Sequence, residues 1–181
     1  MTSLRNHQRI LVVGCGGAGK STFARALGAA TGLPVIHLDR HFWKPNWQPT
    51  AVDEWRTVVA ELASRETWIM DGNYGGSLAI RLRRADAVVF FDFDRLTCVW
   101  GVIRRRWSLQ SGTRPDMAPG CAERLSFRFL RWIWSYPRES RPRIVKALAT
   151  VSPSVDVVTV TTRMEVAKLL VASTEGASPV S

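Results

Sequence analysis

Short runs of consecutive apolar residues alternate along the chain with longer segments in which apolar residues recur at helical spacing. Such short runs are typical of strands buried on both faces of a parallel sheet, and the periodic segments are typical of the helices that cover it. The pattern predicts five strands, over residues 9–13, 33–38, 67–70, 87–91 and 155–160. We therefore expect an α/β fold of three layers, with a five-stranded parallel sheet between helices.

The periodic segments also carry signals for where helices begin and end. Thr50, with Asp53 three residues later, predicts the start of one helix, and Pro137 predicts the end of another. The predicted helices cover residues 21–30, 50–65, 95–108, 122–136, 143–149 and 163–171. We expect a single domain over residues 1–172 and a disordered tail, STEGASPVS, over residues 173–181.

The carboxyl ends of the predicted strands are the expected place for a ligand, because ligands of parallel sheets bind at that edge. The first strand leads into a glycine-rich loop, and the next three end at Asp39, Asp71 and Asp92. Functional side chains should therefore collect along one edge of the sheet.

The glycine-rich loop reads GCGGAGKS over residues 14–21, which fits the pattern G-x-x-x-x-G-K-[ST]. Glycines let successive backbone N–H groups point at an anion, and the following helix adds its positive end. Lys20 is expected to reach the β- and γ-phosphates of ATP, and the Ser21 hydroxyl to ligate Mg²⁺. The residues expected to contact the nucleotide are Gly14, Gly16, Gly17, Ala18, Gly19, Lys20, Ser21 and Thr22. The alternative is a plain glycine turn, which the strand before and the helix after make the weaker interpretation.

Two aspartates are candidates to support the metal ion, since a nucleotide-bound Mg²⁺ usually needs a carboxylate at the end of a neighbouring strand. Asp71 is favoured over Asp92, because Gly72 permits close approach of a ligand and Asn73 and Tyr74 add polar groups for a substrate. Asp92 and Asp94 are interpreted as a turn and helix cap before the helix at residue 95.

Asp39 is the candidate group for positioning or deprotonating an acceptor hydroxyl, with Trp43 and Trp47 as an apolar or stacking wall. The alternative is that Asp39 caps a turn and that the tryptophans belong to the core. Both interpretations of the tryptophans stay open at this point.

The net charge of +10 is concentrated in the middle of the 181-residue chain. Residues 95–146 hold 12 Lys or Arg against 3 Asp or Glu, whereas residues 1–94 hold 11 against 9. A concentration of positive charge indicates a phosphate-bearing partner, whether nucleotide, nucleic acid or membrane surface.

Within this basic segment, five polar residues recur at steps of four and three and form one stripe on a predicted helix. They are Arg124, Arg128, Arg131, Ser135 and Arg138. Arg114 precedes the helix in a Pro- and Gly-containing loop. We expect residues of about 107–140 to form a helical, arginine-rich lid that brings Arg114 and Arg124 onto the transferring phosphoryl group and excludes water. For Arg138, Arg141 and Arg143, a solvated position is preferred.

Cysteine content and the ends of the chain suggest a location. Cys15, Cys98 and Cys121 are odd in number and lack metal-ligand spacing, which argues against a disulfide framework. The first residues lack the apolar stretch of a signal peptide, and no stretch approaches membrane-spanning length. We therefore expect a cytoplasmic protein with no membrane partner.

The order of the motifs resembles the adenylate-kinase-related P-loop kinases, and most closely the group labelled DNA topology modulation proteins. The resemblance covers about residues 9–170 and rests on GCGGAGKST, HLDRHFWKPNW, WIMDGNY, ADAVVFFDFD, TRPDMAPGCAER and FLRWIWSYP. It implies a P-loop NTPase fold, and it implies that Arg105, Arg114 and Arg124 grip phosphates. Where adenylate kinases have DGFPR, with an arginine for the acceptor monophosphate, this chain has Asp71-Gly72-Asn73-Tyr74.

These observations predict an ATP- and Mg²⁺-dependent phosphotransferase that acts on a small molecule, which could be nucleotide- or nucleoside-like. One alternative is a nucleic-acid-binding regulator that uses residues 95–146 on DNA and ATP as a switch, although no helix-turn-helix, zinc site or RNA-binding signature is present. Another is that the Trp- and Arg-rich helix lies on an anionic membrane. The membrane interpretation is placed last, since a lid already accounts for the arginines.

Overall fold

A computed structural model describes residues 3–108, 116–121 and 126–174 of the chain. Its main sheet has five parallel strands in the order β2-β5-β1-β6-β7, so that the strand before the glycine-rich loop is central. These strands are β1 (Arg9–Gly14), β2 (Val35–His37), β5 (Trp68–Asp71), β6 (Ala87–Phe91) and β7 (Asp156–Val160). The predicted fold class and the number and direction of the strands are thereby confirmed.

Eight helices are found within the described residues. They are α1 (Lys20–Thr31), α2 (Leu38–Phe42), α3 (Val52–Ser64), α4 (Leu78–Leu82), α5 (Arg95–Ser108), α6 (Phe127–Glu139), α7 (Arg141–Leu148) and α8 (Arg163–Thr174). A two-stranded antiparallel hairpin of β3 (Trp43–Lys44) and β4 (Gln48–Pro49) lies between α2 and α3. Strands β1, β5 and β6 are buried almost throughout, whereas the edge strand β7 is buried only at Val160, so the core lies on both faces of the inner strands.

The second strand is shorter than predicted, and this changes the setting of Asp39. β2 pairs only with β5, and its last pair joins His37 to Asp71. Beyond that pair the chain turns into α2, so Asp39 lies in the first turn of a short helix and not at a strand end.

Three predicted helix boundaries were wrong, one of them the start of α6, which begins at Phe127 after Ser126 and not at residue 122. Helix α3 begins at Val52 after Ala51, and the buried Thr50 gives no cap because its hydroxyl donates to the Phe42 carbonyl 2.7 Å away. Helix α6 continues through Pro137 to Glu139. A proline in the last turn removes a single backbone hydrogen bond near the end, so the helix closes normally with Ser140 N donating to Tyr136 O at 3.0 Å.

The last helix extends two residues into the predicted tail. Ser173 is buried, its hydroxyl donates to Leu169 O at 2.7 Å, and it accepts from the backbone N–H of the buried Leu4 at 3.1 Å. These bonds fasten the start of the chain to α8. Residues 175–181 of the tail lie outside the described residues. None of the described helices is long and apolar enough to cross a membrane.

Candidate active site

The glycine-rich loop joins β1 to α1 at the carboxyl edge of the sheet, as predicted. Gly17 and Gly19 have φ of 83° and 95°, a left-handed conformation that side chains disfavour. The Lys20 ammonium donates to the Cys15 carbonyl at 2.9 Å, so its charge lies against the loop. The loop borders a cavity of about 380 Å³.

The cavity gathers most of the predicted site residues. Those that line it are Gly16, Gly17, Gly19, Lys20, Ser21, Thr22, Asp39, Asp71, Asn73 and Arg105. Gly14, Ala18, Trp43 and Tyr74 are not among its lining residues. Arg114 and Arg124 lie outside the described residues, so their predicted roles stay predictions.

Two helices of the basic segment hold the glycine-rich loop in place. A Cβ atom added at Gly101 of α5 would lie 2.1 Å from the Gly17 carbonyl oxygen, so this glycine permits a close backbone contact. On α6, the stacked rings of Phe129 and Trp132 lie against Gly16, where an added Cβ would be 2.7 Å from Phe129. The charged helices therefore pack directly on the candidate phosphate loop.

A Gly101→Ala substitution should test this packing. We expect the free energy of unfolding to fall by roughly 1–3 kcal/mol and ATP binding to weaken, because the new methyl group would push the backbone of α5 away from the backbone of the glycine-rich loop. Gly76→Ala is the matched control, since nothing lies within 4 Å of an added Cβ there. Thermal unfolding and ATP titration measure both effects, and unchanged values for Gly101→Ala would contradict the close contact.

Asp71 is held by a histidine that the sequence interpretation overlooked. Its Oδ2 lies 3.0 Å from His37 Nδ1, and both side chains are buried. The register pairs these two residues across β2 and β5, so neighbouring strand ends supply the contact. The hydrogen bond fixes the orientation of the Asp71 carboxylate at the wall of the cavity.

The donor set at this wall suits Mg²⁺ that is bound together with phosphates. Across residues 3–108, 116–121 and 126–174, no cluster of three or more His, Cys, Asp or Glu side chains is placed to hold a metal ion. Mg²⁺ is commonly held by one or two protein oxygens while phosphates and water complete its shell. Ser21 and Asp71 line the same cavity and provide oxygens of this kind.

Asn73 and Arg81 brace the loop after β5. Asn73 Oδ1 accepts from the Gly14 N–H at 2.8 Å, which ties this loop to the end of β1. The fully buried Arg81 donates to the carbonyls of Gly72 at 2.7 Å and Tyr74 at 3.0 Å. Burial lowers the pKa of Arg81 below its ordinary value, although the nearby Tyr74 and Asp71 act in the opposite direction. Its position in the run RLRR over residues 81–84 gave no signal of this part in the fold.

Tyr74 acts on Asp39 and does not itself line the cavity. Its hydroxyl donates to Asp39 Oδ1, and its ring packs against Phe42 and Trp55. Burial and the neighbouring Asp39 charge raise the pKa of Tyr74, so the hydroxyl stays protonated as a donor. The contact orients the carboxylate of Asp39 at the cavity.

Trp43 belongs to a small apolar cluster beside the cavity. It meets Trp47 edge to face, and both pack against Met117, Ala118 and Cys121 of the segment over residues 116–121. The hairpin is also joined to this segment by two hydrogen bonds. The Asn46 N–H donates to Gly120 O at 3.3 Å, and the Cys121 thiol to Lys44 O at 3.3 Å. The aromatic loop thus anchors part of the predicted lid.

Further charged residues complete the cavity, and of these Arg25, Asp116 and Arg163 were not assigned to the site from the sequence. Arg25 of α1 and the buried Asp116 lie with Nη1 and Oδ1 3.7 Å apart, and both line the cavity with Arg104 and Arg163. These contacts join residues far apart in the sequence, and no local motif marks them.

Asp92 and Arg141 form an ion pair that stabilises the fold. Arg141 donates to both carboxylate oxygens of Asp92, at 2.7 and 2.6 Å, and so connects α7 to the end of β6. Arg141 is therefore not simply solvated. The predicted cap is supplied by Asp94, whose Oδ1 accepts from the N–H groups of Leu96 and Thr97.

Comparisons with known proteins find solved structures that have a similar fold. No protein-family model matches the chain, and no curated protein matches it. A gluconokinase from Sinorhizobium meliloti 1021 is 19% identical with a TM-score of 0.53, and the match covers 95% of this chain and 91% of that one. A shikimate kinase from Acinetobacter baumannii, in complex with shikimate, is 18% identical with a TM-score of 0.56, covering 92% and 93%. A shikimate kinase from Bacteroides thetaiotaomicron is 16% identical with a TM-score of 0.55, covering 91% and 94%. The chain is similar to these enzymes in fold.

Proposed function

We propose that the protein is an ATP- and Mg²⁺-dependent phosphotransferase that acts on the hydroxyl of a small molecule. The observation that carries the proposal is that Lys20, Ser21, Asp71 and Asp39 line one cavity. A phosphate loop, a metal-supporting carboxylate and a carboxylate suited to an acceptor hydroxyl are the parts that phosphoryl transfer needs. The similar structures are kinases of small molecules, which supports the same reaction class.

In the proposed reaction, the acceptor oxygen forms a bond to the γ-phosphorus as the bond from that phosphorus to the β,γ-bridging oxygen breaks. ADP leaves with the bridging oxygen. The acceptor proton passes to the carboxylate of Asp39, which the Tyr74 hydroxyl holds in position. Lys20 and the loop amides hold the phosphates, and bound Mg²⁺ would neutralise charge on the β- and γ-oxygens.

The basic helices supply the remaining positive charge. Arg105 lines the cavity, and we propose that Arg114 and Arg124 join it on the transferring phosphoryl group. Arg104 and Arg163 line the same cavity and add cations for the triphosphate. This arrangement would stabilise charge in the transition state and keep water from hydrolysing ATP.

The nature of the acceptor is narrowed by the loop after β5. The resemblance to adenylate-kinase-related proteins, and to the DNA topology modulation group, is kept as part of this proposal. Arg81, the first arginine after Asp71, is buried and donates to backbone carbonyls, so it does not hold an acceptor monophosphate. We therefore favour a hydroxyl compound over a nucleoside monophosphate as the acceptor.

We also propose that the enzyme is cytoplasmic, in keeping with its three unpaired cysteines.

Phosphorylation of a metabolite library with γ-labelled ATP and Mg²⁺ tests the function. We expect transfer of label to a small molecule and loss of transfer in a Lys20→Ala variant, because the lysine holds the β- and γ-phosphates. Titration of ATP with Mg²⁺ present is the accompanying measurement. Absence of nucleotide binding would contradict the proposal, as would nucleotide-dependent binding of DNA without transfer to any small molecule.

A further inference from the structure

Two helices of the basic segment carry an apolar ridge on their outer surface. On α5, Leu96, Trp100 and Trp107 are 65%, 54% and 73% exposed, and their spacing of four and seven places them on one face. On α6, Phe127 and Trp134 are 86% and 51% exposed and seven residues apart. We call these five side chains the outer ridge.

The outer ridge lies away from the candidate active site. The inner face of α5 buries Cys98 and Val102 and presents Gly101 to the glycine-rich loop. The inner face of α6 buries Ile133 and places Phe129 and Trp132 on the loop. None of the five ridge residues lines the cavity, although all lie in described helices. Phosphate binding and a lid explain the inner faces and leave the ridge unexplained.

The ridge is flanked by positive charge, and two contacts join parts of it. The Arg95 guanidinium lies 4.2 Å above the Trp134 ring and joins the two helices, while Trp100 and Trp107 meet edge to face at 5.9 Å. Arg131 and Arg138 are exposed on the same face of α6 as Trp134. Helix α5 has no acidic residue, and α6 has one, at its last position.

We propose that this ridge docks the protein on the surface of an anionic lipid bilayer, in place of the sequence-based expectation of no membrane partner. Exposed Trp, Phe and Leu side chains on a helix face fit the boundary between headgroups and acyl chains, and arginines beside them fit anionic headgroups. An exposed apolar patch on a protein surface marks an interaction site. Docking through the outer faces leaves the inner faces on the glycine-rich loop.

The geometry favours a bilayer over the other possible partners. Nucleic-acid bases stack on open ring faces, whereas one face of Trp134 is covered by Arg95 and Leu96 has no ring to offer. A second copy of the chain would bring the same positive surface against this one, since residues 95–146 hold 12 basic residues against 3 acidic ones. Charge complementarity therefore points to an anionic and apolar surface.

Sedimentation with lipid vesicles tests the inference. We expect the protein to bind vesicles that contain phosphatidylglycerol, to bind phosphatidylcholine vesicles far more weakly, and to lose part of the binding as salt is added. The double variant Trp100→Ser with Trp107→Ser should reduce the affinity at least about tenfold, since two large apolar side chains no longer leave water. Its ATP affinity should be unchanged.

The matched control removes two exposed apolar side chains elsewhere. Met164→Ser with Val171→Ser, both on α8, should bind vesicles as the unaltered protein does. Failure of the unaltered protein to bind anionic vesicles at low salt would overturn the proposal, as would equal binding to phosphatidylcholine. It would also be overturned if the Trp double variant lost binding to a labelled single-stranded oligonucleotide, or lost self-association by light scattering, while keeping its affinity for vesicles.

Discussion

An Arg114→Ala variant is expected to turn over about 10³- to 10⁵-fold more slowly while binding ATP only modestly more weakly. An arginine that meets the transferring phosphoryl group acts mainly in the transition state, where charge develops on the phosphate oxygens. Asp116, two residues later in the sequence, lines the cavity, and so do Arg104 and Arg105. The cavity thus already contains the anion-binding surroundings in which such a residue would act.

Turnover and ATP affinity must be measured separately in this variant. Labelled transfer to the acceptor found in the metabolite library gives kcat, and calorimetric titration of ATP with Mg²⁺ gives the affinity. Arg138→Ala is the matched control, because Arg138 is exposed on the outer face of α6 and does not line the cavity. Equal turnover in the Arg114→Ala variant and the unaltered protein would contradict the proposed lid.

The fold was predictable because its signals are local. A continuous run of apolar residues forms a stable strand only where both faces of that strand are covered. The glycine-rich loop marks a strand-to-helix turn in the sequence itself. The ends of β1 and β5 therefore fell close to their predicted positions, and Lys20, Ser21 and Asp71 meet at one cavity.

Other parts of the site depend on contacts between distant residues, which no local pattern reports. His37 reaches Asp71 through strand pairing, and Arg25 reaches Asp116 across a cleft. Arg81 is fully buried although arginines are mostly exposed in folded proteins. Sequence spacing indicates which face of a helix a residue lies on, but not which element packs against that face. The contacts of His37, Arg25 and Arg81 therefore became visible only with the tertiary structure.

The outer ridge shows the same limit on helix patterns. Spacing on the helix that contains Arg128 and Arg131 separated a polar stripe from apolar residues, and it did not indicate which of the apolar residues are buried. In the structure Ile133 is buried, whereas Trp134, the next residue, is exposed. Helix α6 is apolar on more than one face, and only the packing of its neighbours determines which face is covered.

An Asp39→Asn variant is expected to lose about 10²- to 10⁴-fold in kcat and to keep its affinity for ATP. Asparagine preserves the size of the side chain and can still accept a hydrogen bond from the Tyr74 hydroxyl, but it cannot take up the acceptor proton. The loss should therefore come from the missing base and not from a displaced side chain.

Tyr74→Phe provides the graded comparison, since it removes the hydrogen bond and leaves the carboxylate in place. We expect a loss of about tenfold or less, because a single neutral donor to a carboxylate contributes modestly to its orientation. Single-turnover transfer from labelled ATP measures both variants, and circular dichroism checks that each is folded. If Asp39→Asn lost no more activity than Tyr74→Phe, Asp39 would position the acceptor without taking its proton, because removal of the carboxylate and removal of its orienting bond would then be equivalent.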